Sequence, residues 1–169
     1  MAIVRKDIML AGYNGPLANV KVFDNAGTTK VQTTNGVFVV VEGLLEDGER
    51  ELRKGRLAEL ADVAKNVVLI HNSEVMYDER LYKLDDFVIK ADKVARGYHL
   101  FTGDVITLTE DLFVGTPVVG ETLVVHTDGK LGKDDASLAT AKIVFHVIED
   151  AGNELHVTQK AFAVEVEVK

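Results

Sequence analysis

The chain contains no cysteine among its 169 residues, which excludes disulfides and thiolate chemistry and leaves any metal site to His, Asp and Glu. Tryptophan is also absent and aromatic residues are few, within an otherwise ordinary globular balance of 47% apolar and 27% charged residues. No apolar run approaches the ~20 residues of a membrane-spanning helix. The apolar run at 8–11 near the start is too short for a signal-peptide core. The reading is therefore a chain made and kept in the cytoplasm, with no membrane partner.

Clustered positive charge is missing too. The formal net charge is −8, from 27 acids against 19 bases. Such a chain repels polyphosphate unless its bases are gathered together. The densest basic stretch, RELRKGR at 50–56, is flanked by Glu46, Asp47, Glu49 and Glu59 and reads as a solvated face of mixed charge. Nucleic acid is thus not an expected partner. Motifs for catalysis are likewise lacking. Neither 12–15 (GYNG) nor 129–132 (GKLG) has the spacing of a phosphate-binding loop. Ser73, in the run His71-Asn72-Ser73-Glu74, has no nucleophile elbow around it, and that run reads as a strand leaving its sheet through polar residues. The acidic pairs Asp85-Asp86 and Asp134-Asp135 sit beside loop-like stretches, and the run DGKLGKDD at 128–135 reads as a solvated loop.

What is present is a regular alternation of turns and short β-rich runs. Turn signals fall at 14–16 (NGP), 25–27 (NAG), 35–36 (NG) and 47–48 (DG), then at 103–104, 115–117, 120, 128–129 and 151–153. Between them lie runs rich in β-branched and aromatic residues at 20–23, 37–41, 67–70, 105–108, 123–125 and 143–148. This spacing predicts a mainly β chain, an antiparallel sandwich or barrel. The C-terminal run AVEVEVK alternates strictly, with Val164, Val166 and Val168 on one face and Glu165, Glu167 and Lys169 on the other, as in a strand half-buried at a sheet edge. The run IVFHVI at 143–148 is apolar almost throughout and predicts a central strand covered on both faces.

Two segments point to short helices. From Arg56, the residues Leu57, Leu60, Ala61 and Ala64 share a helical face, which predicts about two turns beyond Gly55. A second turn is expected over 79–87, where Leu81, Leu84 and Phe87 are three apart. No linker divides the chain, so residues 1–169 are read as one domain, with a subdivision near 78–87 as the alternative.

The five histidines are the remaining candidates for chemistry. If Asp150-Ala151-Gly152 closes a three-residue hairpin with Gly152 left-handed, His146 faces His156 across the ladder, with Glu154 beside them. This is a weak metal candidate with too few ligands and no metal-binding spacing motif. No cofactor is expected.

Several stretches resemble structural proteins of tailed-phage heads, the kind that decorate or cement a capsid. They are NG at 35–36 followed by LLEDGERE at 44–51, EVMYDE at 74–79, KVARGYHL at 93–100 and GDVI at 103–106, spanning about 34–111. Ser73 stands where the pattern has proline, and Asp92 where it has glycine. The resemblance implies a non-enzymatic virion protein on the capsid surface. It implies the major capsid protein as partner and a homo-oligomer as the working form. Arg96, Tyr98 and Tyr77 are the residues suited to anchor that partner, since Arg and Tyr dominate interface energetics. Asp104 is an alternative, intramolecular partner for Arg96. A tail or baseplate component, and a small β-barrel enzyme or glycan-binding module, are the rival readings.

Overall fold

The computed structural model describes residues 3–8, 17–45, 51–75 and 87–169. The chain is mainly β, as the turn spacing predicts. The first strand, β1 (Val4–Ile8), is followed by β2 (Leu17–Phe23), β3 (Phe38–Leu44), β4 (Leu52–Leu57), β5 (Val67–Ile70) and β6 (Ala95–His99). Then come β7 (Val105–Thr109), β8 (Phe113–Val114), β9 (Thr122–Val125), β10 (Leu131–Gly132), β11 (Ile143–Gly152) and β12 (Ala161–Val168). Strands β2 to β6 close into a five-stranded barrel in the order β2-β4-β3-β5-β6. The others form a seven-stranded sheet in the order β1-β7-β12-β11-β9-β10-β8. Pairing is antiparallel except for β2 with β4 and β10 with β8, which run parallel.

β1 and β7 are neighbours in the sheet, with Val4 opposite Leu108. The whole barrel is therefore an excursion between two paired strands. Alternation explains which residues fill it. In β2, Ala18, Val20 and Val22 are buried while Leu17, Asn19 and Lys21 are half-buried. The interior is tight at Gly55, where a Cβ would stand 2.5 Å from Val20 Cγ1 and 2.7 Å from Val39 Cγ1. The buried apolar residues of barrel and sheet make one contiguous cluster. At its centre the rings of Phe38 in β3 and Phe145 in β11 meet edge to face, 4.9 Å between centroids, and neither is exposed. Burying two such rings contributes on the order of 2–3 kcal/mol each.

Four local expectations are corrected. The helix from Arg56 is absent: β4 runs through Leu57, and a single 3-10 turn, Leu60–Asp62, follows. Barrel closure pairs Arg56 with Phe23 on one side and Val40 on the other, and this tertiary pairing overrides the helical preference of the segment. The run at 128–135 is no solvated loop, since Leu131 is fully buried within β10. β12 is not at an edge. It lies between β7 and β11, and its alternation reflects one solvent-facing side. Nor does 150–152 close a hairpin. β11 continues through Gly152, which is left-handed (φ +55°) but lies next to a register shift within the ladder. The β11 run IVFHVI is central, as predicted, although Ile148 is 42% exposed. The helical turn expected at 79–87, and the subdivision near 78–87, lie outside the described residues but for Phe87.

Candidate functional site on the barrel

Strand β6 carries the sequence ARGYH, and its alternation sets the site. Ala95 and Gly97 are buried in the barrel, so the intervening Arg96 faces outward and is exposed, and Tyr98 beside it is half-buried. Arg96 lies opposite Asn19 of β2, and Tyr98 lies between Leu17 of β2 and Leu69 of β5. The Tyr98 ring stands 6.2 Å from the His71 ring, edge to face.

The chain leaving β5 builds the next wall. The backbone N–H of His71 donates to the Arg96 carbonyl at 3.0 Å. Asn72 then extends the ladder with its side chain: Oδ1 accepts from the Arg96 N–H at 2.7 Å and Nδ2 donates to the Val94 carbonyl at 2.9 Å. Asn72 is itself held by Asn35, which is 1% exposed. The Asn35 amide accepts from the Asn72 N–H at 2.8 Å and donates to its carbonyl at 3.0 Å, and so does the work of a missing strand partner. The HNSE run is thus a strand exit through polar residues, as its sequence implies.

These elements enclose a shallow polar groove of about 350 Å³ lined by Asn19, His71, Asn72, Arg96 and Tyr98. A second depression of about 500 Å³ adjoins it and shares Asn19 and Arg96 with it. Its other polar lining groups are Glu51, Arg53 and His99. Among the described residues, neither Arg96 nor Arg53 makes a side-chain hydrogen bond or ion pair. Asp104 is not the partner of Arg96. It is buried and accepts from the Phe101 N–H at 2.9 Å, closing the turn before β7. Burial, and after it the positive charge of Arg53, pushes His99 below the ordinary imidazole value.

No family model, curated protein or solved structure matches this chain.

The remaining sequence candidates are dispersed. Tyr77 lies outside the described residues. His146 sits within β11 opposite Glu165, with its ring between Thr122 (3.1 Å) and Glu167 (2.8 Å). His156 lies in the connection between β11 and β12, where its ring accepts from the Thr158 N–H at 3.2 Å. Glu154 pairs with Arg5 at 3.0 Å. The register therefore separates the two histidines, and no described group of three His, Asp or Glu residues converges as metal ligands. Among the described residues, no helix is long and apolar enough to cross a membrane. Sequence reasoning passed over Asn19, Arg53 and His99. Arg53 was hidden by its charged neighbours, and the three meet only when the barrel closes.

Proposed function

We propose that this protein is a non-enzymatic structural component of a phage particle. In this reading it sits on the outside of the head as a homo-oligomer bound to the major capsid protein. The barrel face that carries Arg96 and Tyr98 is the contact surface. One observation supports the reading above others. The described parts of the stretches that resemble phage head proteins lie on the barrel or at its edges, apart from 103–106, which runs into β7 of the sheet. Within them, the two residues best suited to anchor a partner stand side by side on β6, next to a groove, with the guanidinium of Arg96 unpaired among the described residues. The net charge of −8 favours the outer surface of a head over contact with packaged DNA.

The test is direct. Purified protein added to expanded capsids that lack it is expected to co-sediment up to a saturating ratio and to raise their resistance to heat and to chelators. Absence of co-sedimentation overturns the proposal. Gold label on the tail instead of the head, seen by electron microscopy, replaces it with a tail or baseplate role.

A further inference from the structure

We propose that the two adjoining depressions act as a single cleft that docks an extended, acidic segment of a partner protein, with Arg53 and Arg96 each taking a carboxylate. The inference rests on the reading of this barrel face as the partner-facing surface, and it names the chemistry of what binds there. Asn19 of β2 lies opposite Arg96 of β6, and the next residue of β2, Val20, pairs with Arg53 of β4, so Arg96, Asn19 and Arg53 come from three neighbouring strands, with Arg53 one residue further along, and all line the second depression. With strands about 4.8 Å apart, the two arginines are rooted ~10 Å from each other. Carboxylates at alternate positions of an extended peptide lie about 7 Å apart, within reach of both arms. Each guanidinium offers a planar fork that fits one carboxylate with two hydrogen bonds.

The rest of the lining suits a peptide. Asn19, on the strand between those that carry the arginines, lines both depressions and offers an amide to a backbone group. The Tyr98 and His71 rings, 6.2 Å apart and edge to face, form an aromatic corner against which a side chain of the segment rests. Among the described residues Glu51 is the one carboxylate in the lining of the two depressions, and it disfavours acidic groups of the segment at its own position. Two arginines unpaired among the described residues, on a chain of net charge −8, are a local exception to its field, enough for a pair of carboxylates and too few for a nucleic-acid backbone.

The test uses the full chain labelled with ¹⁵N and a synthetic peptide of alternating Glu and Ser, with its Gln-Ser counterpart, inorganic polyphosphate and a short single-stranded DNA as comparisons. The Glu peptide is expected to shift the amides of Asn19, Arg53, Arg96 and Tyr98, and the Gln peptide is not. R53Q/R96Q is expected to weaken Glu-peptide binding at least tenfold, with R53K/R96K intermediate and the thermal midpoint unchanged in both. The inference is overturned by no shifts at millimolar peptide, by shifts elsewhere, by equal binding of the Gln peptide, or by tighter binding of polyphosphate or DNA at the same residues. The two proposals fail separately. Capsids that bind wild type and R53Q/R96Q equally remove the cleft and leave the capsid role. A Glu peptide that binds in the cleft of a protein that ignores capsids does the reverse.

Discussion

At Asp62 a carboxylate with 3% side-chain exposure accepts from both ends of one guanidinium, Arg56 Nη1 and Nη2, each at 2.6 Å. Lys65 Nζ lies 2.8 Å away and the Glu59 N–H donates at 3.1 Å. The Arg56 guanidinium, against the opposing effect of burial, holds the Asp62 carboxyl well below the usual carboxylate range. A group depressed in the folded state stabilises it fully above its unfolded value, near 3.8, and loses that contribution as pH falls toward the folded value. Asp62→Ala is therefore expected to cost about 2–3 kcal/mol at neutral pH, because it removes the bidentate partner of a half-buried arginine and leaves it Glu42, 3.3 Å from Nε, as its remaining carboxylate. The difference from wild type is expected to shrink steadily below about pH 4. Urea midpoints of both proteins from pH 2 to pH 7 check this, and parallel curves would refute it. Neither this cluster nor the Asn35–Asn72 pair was legible in the sequence. Arg56 and Asp62 read as two charges on a helical segment, and Asn35 as half of a turn signal, because their partners are set by strand packing.

The element most misread is β4. Its sequence favours a helix after Gly55, but the strand is required to close the barrel between β2 and β3. The two conformations give opposite signs for one substitution. In a helix extended back through position 55, Gly55→Ala would stabilise by about 1 kcal/mol. In the closed barrel the new methyl would lie 2.5 Å from Val20 Cγ1 and 3.1 Å from the Val40 carbonyl oxygen, so a loss of about 1–3 kcal/mol is expected. The thermal midpoint of the variant decides between them. The β11–β12 ladder shows a second limit. Alternation identified the faces of β12, and the apolar run in β11 identified a central strand. The register was set by elements that carry no pattern. Shifts occur between Val147 and Glu149 and between Asp150 and Gly152. The connection that follows is organised by Asn153, whose side-chain amide donates to the carbonyls of His156, Val157 and Gln159. Turn composition alone cannot count such residues.

For the whole molecule, the consequential feature is a barrel inserted between the paired strands β1 and β7 and sharing its core with the sheet. The insertion is fastened beyond its two chain connections. Gly129 N–H donates to the Ala58 carbonyl and Lys142 N–H to the Val63 carbonyl, each at 2.8 Å. Barrel and sheet are accordingly expected to unfold together. Tyr98 lies on β6 of the barrel, so in a variant that keeps it as the sole tyrosine the fluorescence reports on the barrel, whereas far-UV circular dichroism reports on both sheets. Coincident transitions are expected from the two probes. Phe145→Ala, a sheet substitution costing about 3–5 kcal/mol, is expected to lower the tyrosine-detected midpoint as much as the dichroic one. Separate midpoints would show two independent units.

What the amino-acid order determined by itself was the class of structure and the faces of its strands. Period-two burial and turn chemistry are local, and they are written in neighbouring residues such as the Val-Glu alternation of β12. Only the tertiary structure decided which strands meet, that β2 and β4 run parallel to close a barrel, and that Arg53, Asn19 and Arg96 line one cleft. Those juxtapositions join residues up to 77 positions apart by strand pairing, the count from Asn19 to Arg96 across the β2–β6 ladder. Pairing energy comes from burying a shared core, which no single segment contains.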